Sequence, residues 1–260
     1  MGALLTLDVL NQRVIACRKC ARLVRYRERV AREKRRMFRE QEYWGRPIPG
    51  FGDLRAELLV LGLAPAAHGG NRTGRVFTGD RSGDFLFGGL YRAGFANQPE
   101  SQSRDDGLRL RNCYVTASVR CCPPANKPSP KEQANCRPYL EEELRLLIRL
   151  RAVLALGRLA HDTFLRLLKD YGQIESLADY SFAHGARHDL TLPGEEGGRP
   201  SSRPCGIRTS KARPYTNVAA KRGFRLFDSY HPSQQNTQTG RLTAAMFERV
   251  LREIQDHLRG

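Results

Sequence analysis

The chain has 260 residues, which is enough for one large domain or two small ones around a substantial core. Its 44 Lys and Arg outnumber 27 Asp and Glu, and the formal charge of +17 favours nucleic acid as a partner over an anionic membrane surface. The chain does not open with a signal peptide, and no apolar run reaches transmembrane length, which argues against a secreted or membrane-spanning protein. We therefore expect an intracellular, cytoplasmic protein without a membrane partner.

A basic segment at residues 4–38 has helical periodicity and contains Cys17 and Cys20, a Cys-x2-Cys pair. Residues three apart lie on one face of a helix, so both sulfurs can reach the same metal. Seven cysteines in an intracellular chain favour metal ligation over a disulfide framework. Residues 1–53 then form the N-terminal helix and loop of a single domain that we expect to span 1–260.

A short apolar run at residues 58–61 predicts a strand that is buried on both faces. It leads into a glycine-rich loop and then into a helix predicted at 82–93. A buried strand, a glycine-rich loop and a helix in this order are typical of the ligand sites of open α/β sheets. The glycine spacing fits neither a dinucleotide fingerprint nor a P-loop, so an irregular surface loop is the alternative.

Three further strands are predicted at residues 113–119, 152–157 and 224–229, and helices alternate with them. This alternation predicts an α/β fold with a doubly wound parallel sheet and helices on both faces. The polar loops that follow the strands can then converge on one crevice. Residues 171–221 are rich in Gly, Pro, Ser and Arg, and we expect them to form an irregular excursion.

A second pair of cysteines can complete a four-thiolate site with the N-terminal pair. Cys121 begins a proline-rich loop, and Cys136 lies in the helix predicted after it. Four thiolates suit either Zn²⁺ or an iron–sulfur cluster. The spacing alone does not choose between zinc and iron, nor between Cys121 and Cys122. We interpret Cys113 as a buried apolar residue and Cys205 as a bystander thiol.

Three motifs that follow the Cys-x2-Cys pair in order resemble those of the type B (family 5) uracil-DNA glycosylases: GLAPAAHGGNRTGRVFTGDRSG, RCCPPANKPSP…NCRPYL and HPSQQNTQTGRLT. The resemblance covers essentially the whole chain. It implies a three-layer αβα sandwich around a four-stranded parallel sheet. It also implies a structural [4Fe-4S] cluster, with zinc as the alternative, on Cys17, Cys20, Cys121 and Cys136.

The resemblance implies a monofunctional DNA glycosylase of a prokaryotic cell. Such an enzyme flips uracil or a related deaminated or damaged base out of double- or single-stranded DNA, hydrolyses its N-glycosidic bond and leaves an abasic site. No lysine in the motifs stands where a Schiff-base nucleophile is needed, so we expect no lyase activity, and we expect a monomer. The alternative is a non-enzymatic, metal-stapled basic module that binds nucleic acid. A nuclease is disfavoured because it needs clustered carboxylates for metal ions, whereas the three motif loops hold a single acid, Asp80.

Three polar residues are the catalytic candidates that the resemblance implies. His231 matches the family histidine that donates to the departing uracil, and such a donor is worth about 10²–10³ in rate. Leu63 and Ala64 occupy positions where related families carry a carboxylate, so Asp80, the first acid after the glycine-rich loop, is the aspartate that the resemblance implies for catalysis. Asn126 matches a position thought to assist near the sugar or base. The structural alternatives are a helix N-cap for Asp80, a turn residue for Asn126 and a packing role for His231.

The base pocket is expected to comprise Gly62, Leu63, Ala64, Phe77, Ala117 and His231. Phe77 is the aromatic residue that we place against the flipped base; alternatively, it only anchors the loop to the core. Family 4 enzymes read the uracil edge with an Asn where this chain has Ala117. Loss of that amide predicts a wider range of bases, namely uracil, 5-hydroxymethyluracil and hypoxanthine.

Residues 234–242 resemble the loop that enters the minor groove beside the flipped nucleotide. Leu242 is the candidate wedge, and Arg241 is a candidate phosphate or groove contact. The other predicted DNA contacts in this region are Ser233, Asn236 and Gly240. The alternative for Leu242 is a core position at the start of the last helix.

Overall fold

The computed structural model describes residues 6–192 and 222–260. Within them, the sheet has six strands in chain order: β1 (Phe51–Gly52), β2 (Leu58–Gly62), β3 (Cys113–Ala117), β4 (Ala152–Leu156), β5 (Arg187–Leu192) and β6 (Arg222–Ser229). The strands lie in the order β1-β3-β2-β4-β6-β5. The four central strands are parallel to one another, and they are the four strands that the sequence predicts. Cys205 and most of the predicted excursion lie outside the described residues.

The prediction of a four-stranded, all-parallel sheet is wrong at both edges. Strand β1 pairs antiparallel with β3, and β5 pairs antiparallel with β6, so the sheet is mixed. Strand β1 has two residues and is too short to show a periodicity. Strand β5 lies in the segment predicted to be irregular, where exposed Arg187 and Asp189 precede buried Leu190 and Leu192. Such alternation is the pattern of a half-buried edge strand.

The described part of the chain contains eight α-helices: α1 (Leu7–Ile15), α2 (Ala21–Glu33), α3 (Gly70–Thr73), α4 (Arg81–Arg92), α5 (Pro130–Leu146), α6 (Arg158–Asp170), α7 (Gln234–Gln238) and α8 (Ala244–Arg259). None of these helices has the length and apolar character that crossing a membrane requires. The helical pattern at residues 4–38 does not form one helix, because residues 17–20 interrupt it. Cys20 is extended there and is the N-cap of α2, so the two cysteines lie in a loop between helices.

The helices cover both faces of the sheet because side chains of each central strand alternate between the faces. Leu58 and Val60 of β2 point to the face covered by α4 and α8. Leu59 and Leu61 point to the opposite face, which α5 and α6 cover. All five residues of β2, β3 and β4 are buried, which explains their uninterrupted apolar runs. Burial of each large apolar side chain contributes about 1.5–3 kcal/mol.

The carboxyl ends of the four parallel strands lie at one edge of the sheet. The loops at residues 63–80, 118–129 and 230–233 start from this edge, as does the turn at Gly157. Sites in open α/β sheets form where such loops meet.

Candidate active site and four-cysteine centre

The loops at the carboxyl edge enclose an open cleft with a volume of about 1260 Å³. The predicted catalytic residues, most of the predicted pocket residues and one predicted DNA contact line it, although they come from four different parts of the chain. These residues are Leu63, Ala64, Phe77, Asp80, Ala117, Asn126, His231 and Ser233. The structure therefore brings the three motifs together around one cavity.

Phe77 presents a half-buried ring to the cleft from a backbone with φ +50°. Gly62, at the end of β2, lies beneath this ring, and a Cβ at position 62 would lie 2.7 Å from the Phe77 Cζ atom. Gly62 is buried and does not line the cleft, so its predicted contact with the substrate is replaced by a supporting position under Phe77. A glycine is needed there because any side chain displaces the ring.

A buried polar network fixes the Phe77 loop, and sequence reasoning missed it. The Arg75 guanidinium donates to Thr78 Oγ1 at 2.9 Å, Ser101 Oγ at 3.0 Å and Asp106 Oδ2 at 2.7 Å. Partial burial acts to raise the pKa of Asp106, but Arg75 and three backbone N–H groups hold that pKa at about 2. The network holds a left-handed, non-glycine residue, a conformation that costs on the order of 1–3 kcal/mol.

Asp80 is both a helix cap and a cleft residue. Its Oδ1 accepts a hydrogen bond from the backbone N–H of Gly83 at 3.0 Å, which caps α4. Its Oδ2 lies against Gly69, where any Cβ would overlap the carboxylate. Burial raises the pKa of Asp80, while the backbone donors of Gly83 and Ser82 and the charge of Arg72 oppose that rise. The helix-capping role and the catalytic role predicted for Asp80 are therefore compatible, because the cap needs only one of the two carboxylate oxygens.

Two further cleft residues were not predicted from the sequence. Arg72 donates to the carbonyl of Gly79 at 2.6 Å and to the carbonyl of His68 at 2.8 Å, so it ties both ends of the loop together. Its guanidinium carbon lies 4.0 Å from the centre of the Phe38 ring. His68 Nδ1 lies 3.1 Å from the Tyr43 hydroxyl, and burial lowers the pKa of His68. The contacts of His68 with Tyr43 and of Arg72 with Phe38 join distant parts of the chain, so no local sequence pattern could reveal them.

His231 faces the Phe77 ring, with 5.9 Å between the ring centres. Burial lowers the pKa of His231 to about 4, so the imidazole is neutral at pH 7 and carries one N–H donor. No described residue forms a hydrogen bond with this ring. The backbone carbonyl of His231 accepts from Asn236 Nδ2 at 2.9 Å and from the Ser233 N–H at 2.8 Å. The ring is thus held by its backbone and is available to a ligand.

Asn126 lies at the rim of the cleft in a tight turn after β3. It is exposed, and both Asn126 and Ala125 adopt left-handed backbone angles, with φ values of +55° and +52°. Such angles are uncommon in residues other than glycine, although Asn tolerates them better than most. The turn therefore has a specific shape that directs the Asn126 backbone and side chain to the cleft rim.

The loop predicted to contact DNA has a mixed outcome. Ser233 caps α7 by accepting from the Asn236 N–H at 3.3 Å, and Asn236 supports His231 rather than lining the cleft. Gly240 is exposed with φ +71°, and exposed Arg241 lies 4.7 Å from the centre of the Tyr230 ring. Leu242 is only 1% exposed and packs in the core with α4 and α8. This core position contradicts its predicted placement as a groove wedge.

The four predicted ligand cysteines line one small pocket that lies apart from the cleft: Cys17, Cys20, Cys121 and Cys136. Cys122 is buried but does not line it, and Cys113 is buried in β3. Two hydrogen bonds point at the sulfurs, from Arg27 to Cys121 at 2.9 Å and from Asn135 to Cys20 at 3.3 Å.

The spacing of these sulfurs bears on what they can hold. In the described part of the chain, no three of the four sulfurs lie within 4.8 Å of one another. Four thiolates about 2.3 Å from a single zinc ion would lie roughly 3.8 Å apart. Burial raises the pKa of Cys121 to about 12 and that of Cys136 to about 11, so these thiols become thiolates only with a bound cation.

Comparison with known sequences places the chain in a family. The sequence model of the "Uracil DNA glycosylase superfamily" matches residues 49–255. A type-5 uracil-DNA glycosylase of Thermus thermophilus is 47% identical over 242 residues, which are 93% of this chain and 94% of that protein. One from Mycobacterium tuberculosis is 46% identical over 94% of this chain and 79% of its own length. A type-4 uracil-DNA glycosylase of Pyrobaculum aerophilum is 28% identical and aligns with only 49% of this chain.

The family model covers the strand edge that forms the cleft, and the match with the Mycobacterium tuberculosis protein covers 94% of the chain. The chain belongs to the uracil DNA glycosylase superfamily and, within it, to the type-5 uracil-DNA glycosylases.

Proposed function

We propose that this protein hydrolyses the N-glycosidic bond of uracil in DNA, leaves an abasic site and thereby starts base excision repair. The observation that carries the proposal is the neutral His231 imidazole, which faces Phe77 across the cleft and has no hydrogen-bond partner among the described residues. A base that stacks on Phe77 brings its edge to this donor. The relatives from Mycobacterium tuberculosis and Thermus thermophilus are both named as type-5 uracil-DNA glycosylases.

In the proposed reaction, negative charge develops on the departing uracil, and the His231 N–H stabilises that charge at O2. A preorganised donor of this kind is worth about 10²–10³ in rate. A neutral imidazole suits the task because the proton stays on the histidine, and the low pKa of His231 keeps it neutral at physiological pH. Leu63 and Ala64 offer no carboxylate on their side of the pocket.

Asp80 directs the attacking water and stabilises the positive charge of the sugar. Its position at the cleft supports this role, and the carboxylate of a capping residue keeps acceptor capacity on its second oxygen. Asn126 assists at the rim. No lysine from the described residues lines the cleft, which supports hydrolysis by water over a Schiff-base lyase step.

The pocket accepts uracil and related bases such as 5-hydroxymethyluracil and hypoxanthine. At the end of β3, Ala117 lines the pocket and has no side-chain amide that could read the edge of the base. A pocket without a specific polar partner rejects analogues weakly, because no buried group is left unpaired by them.

DNA, double- or single-stranded, is the partner of a protein that acts as a monomer. The net charge of +17 supports phosphate binding, and four arginines extend the positive charge into the cleft: Arg35, Arg72, Arg81 and Arg158. Ser233, Gly240 and Arg241 lie in the segment after His231 and contact the strand near the flipped nucleotide.

The four cysteines hold a [4Fe-4S] cluster, which has a structural role. The wide spacing of the sulfurs supports a cluster over a single zinc ion. Arg27 supports it as well, because its buried guanidinium contacts Cys121 and lacks a close carboxylate partner, with Glu28 at 3.9 Å. When bound, such an anionic cluster would compensate that charge, and its four cysteine ligands would join the loop before α2 to α5 and the loop after β3.

One experiment separates this function from its rivals. The protein is incubated in EDTA with a duplex that contains a single uracil, and half of each sample is then treated with alkali. Strand breakage only after alkali supports the glycosylase. Breakage without alkali indicates a nuclease, and intact DNA with a retained complex indicates a binding module; either result overturns the proposal. An identical duplex with thymine in place of uracil is the control.

A further inference from the structure

A second cluster of ligand-type side chains lies apart from the four cysteines. His161 of α6, His188 of β5 and Asp228 of β6 place ligand atoms within 4.8 Å of one another. His161 is 1% exposed and Asp228 is fully buried, while the side chain of His188 is 14% exposed. A buried carboxylate costs several kcal/mol unless its charge is compensated, so each of its oxygens needs a partner.

The hydrogen bonds of His161 determine which of its nitrogens carries a proton. Nε2 lies 2.8 Å from the backbone carbonyl of Tyr180, which only accepts, so Nε2 carries the hydrogen. Nδ1 lies 2.8 Å from Asp228 Oδ1. In a neutral ring that is protonated at Nε2, the lone pair of Nδ1 would face a lone pair of the Asp228 oxygen, and the two would repel each other. A second proton on His161 or a bound cation removes that repulsion.

A second proton on His161 would still leave two other buried atoms of the cluster without a partner. His188 Nε2 and Asp228 Oδ2 are buried and have no hydrogen-bond partner among the described residues, yet they lie 3.4 Å apart. Ligands at about 2.0–2.1 Å in a tetrahedral zinc site are separated by roughly 3.4 Å. Histidine ligands also donate their other N–H to a backbone carbonyl, as His161 does to Tyr180.

We propose that His161 Nδ1, His188 Nε2 and the Asp228 carboxylate bind one divalent cation of the zinc class. Imidazole and carboxylate ligands suit such an ion. One ion gives both imidazole nitrogens and the carboxylate a partner at the same time. The ion joins α6, the edge strand β5 and the last strand β6. Asp228 is three residues before His231, so the site also anchors the strand from which the His231 loop starts.

The test uses the full-length, iron-loaded protein and zinc chloride. The protein is treated with EDTA, dialysed against zinc chloride and freed of unbound zinc, and zinc and iron per chain are measured by mass spectrometry. We expect one zinc per chain in the wild type, its loss in His188→Ala, and unchanged iron in both. His184→Ala is the matched control, because His184 contacts Tyr230 and lies outside the cluster.

Zinc held at the cysteines is distinguished by the same comparison, because His188→Ala leaves those residues intact. Equal zinc in His188→Ala and the wild type overturns the proposal, as does a wild type that retains none. The melting temperature gives a second readout: zinc raises it for the wild type and His184→Ala but leaves it unchanged for His188→Ala. If His188→Ala does not fold, nitrogen NMR of the zinc-treated wild type decides, since two N–H signals from His161 indicate an imidazolium and contradict metal binding.

Discussion

Gly62 lies directly beneath the ring of Phe77, so close that a Cβ at position 62 would lie 2.7 Å from the Phe77 Cζ atom. The substitution Gly62→Ala therefore moves the ring into the cleft, where it can yield without disturbing the core. We expect a small change in stability and a fall in kcat/KM of up to about 10²-fold, because misplacement by about 1 Å is costly in an active site.

Single-turnover excision and urea unfolding of Gly62→Ala separate these two effects. Gly88→Ala in α4 is the control, because its added Cβ has no neighbour closer than 3.5 Å. If Gly62→Ala keeps the wild-type kcat/KM, the position of the Phe77 ring does not matter for the reaction.

The carboxylate of Asp80 can be tested separately from its capping role. Asn is as good an N-cap as Asp, so Asp80→Asn keeps the hydrogen bond from Gly83 and removes the charge. We expect near wild-type stability and a loss of about 10²–10⁴ in the single-turnover rate, the range for a positioned acid or base. Asp84→Asn, one turn further along α4, is compared with it because Asp84 also lines the cleft, so the pair shows whether the loss is specific to Asp80. An unchanged rate in Asp80→Asn would leave this residue only a structural role.

The Arg75–Asp106 pair predicts an acid-dependent stability. The pKa of Asp106 is held at about 2, below that of an unfolded Asp, so the folded state binds its proton less readily. Its contribution of about 2 kcal/mol is present above pH 4 and is lost as the pH falls towards 2. We expect Asp106→Asn to lower the free energy of unfolding by about this amount at pH 7 and by little at pH 2.

Urea unfolding at several pH values measures this difference between Asp106→Asn and the wild type. Asp105→Asn is the control, since Asp105 is the exposed neighbour with an 87% exposed side chain. A constant difference from pH 7 to pH 2 would contradict the assigned pKa.

The cysteine centre gives a spectroscopic prediction. Arg27 is buried and donates to Cys121 Sγ, so Arg27→Met removes a positive charge and a donor while keeping most of the side-chain volume. The proposed [4Fe-4S] cluster should become harder to reduce, since hydrogen bonds and charge near the sulfurs set its potential. We expect a more negative reduction potential and faster loss of the visible absorbance in air. Arg25→Met, exposed on the same helix, should match the wild type.

Absence of visible absorbance together with tightly bound zinc in the wild type would contradict an iron–sulfur cluster. A reduction potential that is the same in Arg27→Met and Arg25→Met would remove the role assigned to Arg27.

The parts of the fold that were predictable are those in which local pattern and burial agree. The run at 58–61 is apolar throughout because β2 is buried on both faces, and the sequence predicts it directly. Strand β5 was missed because exposed Arg187 and Asp189 hide a short alternation inside a polar segment. The sequence motifs also could not place Leu242, since a wedge and a core residue at a helix start look alike until packing is known.

The candidate site, like the fold, could be predicted from the sequence only in part. His231 and Asp80 were reached through motifs, whereas the network of Arg75, Ser101 and Asp106 was not. Its members are 26 and 31 residues apart and follow no repeating spacing. Spacing could not separate Cys121 from Cys122 either, because adjacent residues differ only in the direction of their side chains. The structure directs Cys121 to the pocket and to Arg27.

The most direct test of the proposed mechanism is the single-turnover rate of uracil excision by His231→Ala, measured beside His257→Ala. His257 lies on α8, where its Nε2 is 3.2 Å from the Arg151 carbonyl, and it does not line the cleft. We predict that His231→Ala loses about 10²–10³ in rate while DNA binding persists, and that His257→Ala keeps the wild-type rate. Wild-type excision by His231→Ala would contradict the role of His231 as the donor to the leaving base.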